Sequence, residues 1–474
     1  MSLSADAALV PTGNGEVIIQ SACGRTRLKQ LTPGIREALE RLAAGGASQE
    51  ELDGIVLLRD GATQLAPFYY QLQELGRRSL LWRSATDQSG PLATLTPTSP
   101  FFSYLGRSVS LAQSYAVSRF AFMRVEEGRA LLESPLAHAR LIVHDWRAAA
   151  LLQALALPAR VAEAAGSIPG LSVEGAADVM TLLLNANMLG EADDSGRPAT
   201  DRSTALQSWE FHDLLFHTRS RRGRHDLPIG GTLRFAGKFA PPPALKPIPA
   251  CDFIQLNRPD VDQLQRNDPP FARVLDERRS IRAYDNTPIT SQQLGEFLFR
   301  VARAENLRQA KVETPIGPVD MEFTSRPYPA GGALYELEVY VAVQACGGLP
   351  QGLYHYDPKH DRLGRLALDT AELRALLNEA SEATGIGEGN LQVLLILTAR
   401  FQRLAWKYAS IAYALILKDV GVLYQSMYLA ATAMKLAPCA VGCGNADLFA
   451  RAAGTDYYAE TSVGEFLLGS LQQC

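Results

Sequence analysis

The sequence predicts an α+β protein built from several cores, and three observations carry that expectation. At 474 residues the chain exceeds one ordinary core, since domains run to roughly 100–200 residues. The first 190 residues repeat one order of strands and helices, and the remainder from Cys251 mixes strand-like runs such as Glu338–Ala342 and Val393–Thr398 with long helical stretches. Hydrophobic residues at 47% and charged residues at 20% sit at the globular average, which excludes a disordered tail or a collagen-like rod. A formal net charge of −4 gives no reason to expect nucleic-acid binding, which needs a basic surface excess.

The repeated order is two strands, three helices and a closing strand. In its first occurrence Val17–Ile19 and Thr26–Leu28 are the strands, and Thr32-Pro33 supplies an N-cap with proline at the first helical position. Ile35, Leu39 and Leu42 keep helical spacing until Gly45-Gly46. Ser48 and Glu51 form a capping box for a second helix, and a third around Phe68–Leu75 stops at Gly76, before the strand-like Ser79–Trp82. The second occurrence has strands at Phe120–Val125 and Leu141–Val143, helices beginning near Asp145, Pro158 and Ser172, and a last segment closing near Leu189. This layout is winged-helix-like. The expected organisation is one such module over residues 1–95, a second over 96–195, a linker over 196–250 containing the proline run Ala240–Pro247, and a larger α+β domain over 251–474.

Met1–Val10 lacks the basic and then apolar pattern of a secretory signal, and the apolar stretch Ile411–Val441 is interrupted by Lys418, Asp419 and Lys435. No membrane span and a cytoplasmic location are therefore expected. Cys23, Cys251, Cys346, Cys439, Cys443 and Cys474 are scattered as reduced cytosolic thiols are, and Cys439 and Cys443 lack the further ligands of a metal site, so no metal is expected.

Three clusters carry chemistry. Arg278, Arg279, Ser280 and Arg282 place three guanidinium groups and a hydroxyl ahead of a helix capped by Thr290 and Gln293, which suits a phosphate. Taken alone, such a run is more often a solvated face. Pro329, Ala330, Gly331 and Gly332 form a turn whose glycines permit close backbone approach to a flat ligand, before a strand of alternating apolar positions. Trp406-Lys407-Tyr408 opens a long helical run through Leu423 towards Leu436, and since neighbours on a helix point about 100° apart, Lys407 and Tyr408 both reach one ligand only if the helix end faces it.

The order Arg-Arg-Ser-Ile-Arg (278–282), Arg-Pro-Tyr-Pro-Ala-Gly-Gly-Ala-Leu-Tyr-Glu-Leu (326–337), Lys407-Tyr408 and Ala440-Val441-Gly442 resembles the FMN-dependent azoline dehydrogenases of ribosomal-peptide biosynthesis. These are the streptolysin S-type and cyanobactin-type oxidases of the nitroreductase superfamily. The segment Trp209–Ser220 with Gly230-Gly231-Thr232 resembles the stretch these enzymes carry before the flavin domain, so the likeness spans about residues 205–470. It implies a nitroreductase-like FMN-binding domain and a homodimer with FMN at the subunit interface. Arg278, Arg279, Ser280 and Arg282 would hold the phosphate, Pro329–Gly332 would lie against the ring, and Val441-Gly442 would offer a backbone amide. Lys407 and Tyr408 would be the catalytic pair. Two departures stand out: Ala330 replaces a common serine, and Cys443 replaces a common glycine.

The implied reaction oxidises thiazoline or oxazoline rings of a precursor peptide to azoles, with dioxygen regenerating the flavin and a cyclodehydratase as a pathway partner. One hydrogen leaves as a proton, and with reference pKa values near 10 for lysine and tyrosine the choice of base stays open. The alternatives are an NAD(P)H-dependent oxidoreductase of small molecules and an inactive peptide-binding scaffold. The duplicated N-terminal half, unneeded for flavin chemistry, is expected to recognise a leader peptide by strand addition or to serve a structural role.

Overall fold

A computed structural model describes residues 1–12, 16–21, 24–29, 31–249, 251–387 and 389–472; Cys23 and Cys474 lie outside them. The chain divides into two units, Met1–Leu227 and Pro228–Cys474.

The first unit begins with β1 (Ser2–Leu3), β2 (Ala8–Pro11), β3 (Val17–Ser21) and β4 (Gly24–Leu28), followed by α1 (Pro33–Ala43), α2 (Gln49–Asp60) and α3 (Leu65–Arg77). Local chemistry sets the start of α2: Glu51 N–H donates to Ser48 Oγ at 3.1 Å, and Ser48 N–H to Glu51 Oε2 at 3.0 Å. The start of α1 differs from the expected cap. Thr32 gives its hydroxyl to Asp60, and the Asp60 carboxylate accepts from the amides of Gly34 and Ile35 at 3.0 Å each. A carboxylate from the end of α2 thus satisfies the free amides of α1 and favours its positive end. Ile35, Leu39, Leu52, Val56, Phe68 and Leu75 are buried together beneath β3 and β4.

The unit continues with β5 (Leu81–Asp87), β6 (Gly90–Pro97), β7 (Ser114–Val117), β8 (Phe122–Glu126), β9 (Arg129–Glu133) and β10 (Ala139–Val143). Then come α4 (Trp146–Ala154), β11 (Ala159–Arg160), α5 (Val161–Gly166), α6 (Val173–Asn185), β12 (Leu189–Glu191), α7 (Thr204–Gln207) and α8 (Phe211–Arg219). The strands form sheets ordered β2-β3-β4, β11-β7-β12 and β1-β5-β6-β10-β9-β8. Because β6 pairs with β10 from Pro97↔Ala139 to Ala93↔Val143, the six-stranded sheet runs across residue 95, where the two modules were expected to separate.

The second unit contains β13 (Gly230–Gly231), β14 (Phe253–Gln255), α9 (Val261–Asn267), α10 (Phe271–Glu277), α11 (Ser291–Ala302), β15 (Glu305–Thr314) and β16 (Gly317–Ser325). After these come β17 (Leu337–Val343), β18 (Gly352–Asp357), β19 (Arg362–Ala367), α12 (Ala371–Thr384), β20 (Val393–Arg400), α13 (Phe401–Ala405) and β21 (Tyr408–Ala409). It ends with α14 (Ala412–Ala433), β22 (Leu436–Val441), α15 (Ala446–Ala453) and β23 (Glu460–Ser470).

Seven strands form one sheet, β14-β19-β18-β17-β20-β23-β22, and every neighbour pair is antiparallel. Strand β17 is buried at all seven positions, where alternation was expected. It is the central strand: Leu337, Val339 and Val341 enter the core shared with Phe297 of α11 and Leu423 of α14, while Tyr340 and Ala342 enter the one shared with Leu373 of α12 and Phe449 of α15. No helix among the described residues is long and apolar enough to cross a membrane.

Candidate active site

Lys407 and Tyr408 do not open a helix. Lys407 lies in a turn after α13, Tyr408 pairs with Gly231 as part of β21, and Ser410, at φ +61°, redirects the chain before α14 begins at Ala412. The cause lies outside the local sequence. Leu233 N–H donates to Lys407 O at 3.0 Å and Ser410 Oγ to Pro228 O at 2.7 Å, so residues 228–233 draw this backbone into an extended form.

The preceding helix α13 is clamped as well. Arg403 is fully buried and donates to three carbonyls from separate segments: Leu334 at 2.9 Å, Pro242 at 2.6 Å and Glu322 at 2.6 Å. Burial, with the charge of Arg400 added, lowers its pKa to about 10, still high enough to stay charged at neutral pH. Arg400 donates to the carbonyls of Pro243 and Ala244 at 2.8 and 2.9 Å, and Trp406 Nε1 to Phe239 O at 3.0 Å. The proline-rich stretch expected as a linker is thus part of the second unit. Proline lacks an N–H but keeps its carbonyl, and here those carbonyls are the acceptors that buried arginines require.

The glycine turn meets the same two side chains. Gly332 has φ +63°, and a Cβ there would stand 2.5 Å from Tyr408 Oη and 2.9 Å from Lys407 Nζ. The positive φ favours glycine, a Cβ would push the ends of both side chains aside, and the hydroxyl and the amine converge on one exposed backbone position. Gly331 N–H donates to Asp419 Oδ2 at 2.9 Å, which ties the turn to α14. Burial raises the pKa of Asp419, and burial followed by the Asp419 charge raises that of Glu336, fully buried beside the turn. Two such carboxyls cannot both ionise in a buried site, so the pair keeps a proton at neutral pH. Burial and then the Asp419 charge also raise the pKa of Tyr408.

The arginine cluster lies between α10 and α11 and docks on the other end of α14. Ile281 N–H donates to Pro438 O at 2.8 Å, Ser280 Oγ bonds Tyr428 Oη at 2.7 Å, and Ala440 N–H donates to that same Oη at 2.8 Å. The Arg278 guanidinium lies 5.3 Å from the centre of the Tyr428 ring. Arg279, Ser280 and Arg282 are exposed and Arg278 half-buried, and none of the three guanidinium groups forms an ion pair among the described residues. Gly442 is exposed and Val441 buried, and both line a cavity of about 470 Å³ with Tyr424, Gly444, Ser462 and Glu465. Asp419 and Tyr428 are nine residues apart on α14, so a rise of 1.5 Å per residue sets the two clusters about 14 Å apart along the helix. No hydrogen bond or ion pair links the arginines to the Pro329–Gly332 turn among the described residues; α14 is what connects them.

The donor set fits a flat ligand with an anionic tail: unneutralised guanidinium groups at one end, a glycine cradle under an amine and a phenol at the other. Sequence reasoning missed Asp419, Glu336 and Tyr428. An acid interrupting the apolar run from Ile411 was the available signal for Asp419; nothing local marked Tyr428. Among the described residues Cys251, Cys346, Cys439 and Cys443 are free thiols, and no group of three or more histidine, cysteine, aspartate or glutamate side chains could hold a metal ion.

Three family models match the chain: the cyanobactin oxidase helix-turn-helix domain over residues 1–104, the cyanobactin oxidase itself over 115–226, and the nitroreductase family over 275–469. The chain belongs to the cyanobactin-oxidase type of the nitroreductase superfamily. A protein of Methanocaldococcus jannaschii described as a nitroreductase is 28% identical over 191 residues, 40% of this chain and 85% of that one. The trifolitoxin-processing protein of Rhizobium leguminosarum bv. trifolii is 29% identical over 133 residues, 28% of this chain and 36% of its own length. A solved structure from Desulfovibrio desulfuricans, described as a nitroreductase in complex with FMN, covers 44% of this chain and 88% of its own at 14% identity and a TM-score of 0.27.

Proposed function

We propose that this cyanobactin-type oxidase binds FMN and oxidises thiazoline, and also oxazoline, rings of a ribosomally made precursor peptide to azoles, with dioxygen as the final electron acceptor. The observation that carries the reading is the convergence of Lys407 Nζ and Tyr408 Oη on Gly332. Aromatising an azoline removes two hydrogens from adjacent ring carbons, one as a proton and one as a hydride. FMN, when bound, supplies the hydride acceptor. Arg278, Arg279, Ser280 and Arg282 would hold its phosphate, Pro329–Gly332 its ring, and the Val441-Gly442 backbone a further contact.

The protein's own part is the proton. Burial and Asp419 keep the Tyr408 proton in place, which makes its phenol a hydrogen-bond donor that orients the ring. The base is then Lys407, whose amine converges with the phenol on Gly332. The exposure of Gly332 and of the arginines suits a site completed by a second subunit, and we read the chain as a homodimer. A cyclodehydratase would supply the azoline, in the cytoplasm, where free thiols persist.

The first unit would recognise the precursor. Among the described residues its six-stranded sheet ends on β8, where Met123 and Val125 are exposed, an edge to which a peptide strand can add. Deleting residues 1–200 should slow turnover on peptides that retain their leader more than on those without it; equal loss on both, with flavin release, would make the unit structural.

The reading is tested by incubating the purified chain with a thiazoline-containing peptide in air. The expected outcome is a thiazole peptide two hydrogens lighter and a released cofactor that is FMN. Release of FAD would remove the cofactor assignment, and NAD(P)H consumption without azole formation would favour the small-molecule reading.

A further inference from the structure

The first unit holds a cavity that the flavin chemistry does not use. It holds about 460 Å³, within the range of ligand pockets, where Ser21 of β3 and Gly24 to Thr26 of β4, the end of α3, the residues after β6 and the 225–226 segment meet. Arg25, Arg77, Arg78 and His225 stand in its wall. Arg77 is neutralised by Glu74 at 2.9 Å, and the lining acid, Asp226, is paired with Arg140 at 3.0 Å. Arg25 and Arg78 have no ion-pair partner among the described residues. Both ring nitrogens of His225 are buried there with no hydrogen-bond partner. Two neighbouring hydroxyls are already engaged, Thr98 with Arg224 O at 3.4 Å and Ser99 with His138 at 3.0 Å. Among the described residues, two guanidinium forks without an ion-pair partner and an imidazole without a hydrogen bond line this cavity, in a protein whose net charge is −4.

We infer that this cavity binds the carboxylates of an acidic peptide segment. Guanidinium forks match planar oxyanions, and a buried imidazole without a partner is satisfied by an acceptor placed between them. The volume exceeds what a single small oxyanion fills. Arg25 also stands on β4, which among the described residues is an outer strand in the order β2-β3-β4, so an extended segment added to that edge would lie beside the arginine that takes its carboxylate. The inference rests on the reading that the substrate is a peptide, and it adds the charge that the peptide must carry and the residues that read it.

The test uses the full-length chain and needs no turnover. A fluorescein-labelled glutamate-rich peptide and its glutamine counterpart of equal length are titrated by fluorescence anisotropy at two ionic strengths. The glutamate peptide should bind more tightly by about tenfold or more, the scale of one charge-assisted hydrogen bond, and should weaken as salt rises. The double variant Arg25→Gln/Arg78→Gln, at two exposed positions, should lose that advantage while its circular dichroism is unchanged, and His225→Gln should lose part of it. Should the double variant prove unfolded, Arg25→Lys/Arg78→Lys, which keeps charge without the planar fork, should still bind the glutamate peptide better than the glutamine one. Equal binding of the two peptides by the wild-type chain, undiminished binding by the double variant, or displacement of the glutamate peptide by equimolar inorganic phosphate would overturn the proposal. Acidic-peptide binding without azole formation would count against the oxidase reading and leave this one standing.

Discussion

The two ends of the candidate active site are built on opposite plans. Around Lys407 and Tyr408 the backbone is held by Leu233, Gly231 and Pro228, the preceding helix by Arg403 and Arg400, and the facing turn by Asp419. Around Arg278–Arg282 the backbone is anchored through the Arg278 and Ile281 amides and the Ser280 hydroxyl, and among the described residues the three guanidinium groups form no ion pair with a carboxylate. A proton transfer needs its groups fixed to a fraction of an ångström, whereas a charged tail needs charge that is not yet spent. If Lys407 and Tyr408 move the proton and the arginines hold the tail, as proposed, packing is concentrated at the end where geometry would limit the rate.

If that contrast is right, damage at the rigid end removes turnover and damage at the free end removes the cofactor. The largest effect is expected for Lys407→Ala, with azole formation slowed by about 10²–10⁴-fold and the bound-flavin spectrum unchanged; Tyr408→Phe should lose less, since the phenol orients rather than abstracts. Steady-state turnover with absorbance of the same sample checks both, and wild-type turnover in Lys407→Ala would reassign the base. Next, Arg278→Ala with Arg282→Ala should weaken flavin binding by at least about a hundredfold, at roughly 1.5–3 kcal/mol for each charge-assisted bond. Purification without flavin but with an intact circular-dichroism spectrum is the expected result, and full occupancy would remove the phosphate assignment. Gly332→Ala should cost turnover about a hundredfold through displacement of Tyr408 and Lys407, and should weaken flavin binding less than the arginine double variant does; a greater loss of affinity than in that variant would blur the two ends into one.

Legibility in the sequence followed the same divide. Caps whose partners lie three residues apart, Ser48 with Glu51 and Thr290 with Gln293, are visible in the sequence because helix geometry alone brings them together. The arginine run, the glycine turn and Lys407-Tyr408 were visible as motifs, and Gly332 is where the structure joins the last two. What could not be read is whatever depends on distant partners. Thr32 looked like a cap, yet Asp60 does the capping; residues 240–247 looked like a linker, yet their carbonyls accept the hydrogen bonds of buried arginines. Tyr408 looked helical because residues 228–233, which hold it extended, lie far away in sequence.

The smallest expected effect concerns the carboxyls behind the glycine turn. Glu336 and Asp419 are raised by burial, so the folded state holds a proton that the unfolded state releases above the ordinary carboxylate range of about 4. Stability from this pair therefore falls as pH rises above that range. Glu336→Gln should flatten the fall, by about 1.4 kcal/mol for each unit of upward shift removed, in urea midpoints compared near about pH 5 and about pH 8. An unchanged slope would mean that the pair is ionised in the folded protein.

The central claim is that Lys407 and Tyr408 serve the oxidation of an azoline ring. A single-turnover experiment without oxygen tests it most directly, with flavin-loaded chain mixed with one equivalent of thiazoline peptide and the product weighed by mass spectrometry. The account predicts one equivalent of peptide two hydrogens lighter, formed together with loss of the oxidised-flavin absorbance, and neither change in Lys407→Ala. A wild-type chain that leaves the peptide unchanged, while its flavin is reduced by NADPH instead, would contradict it.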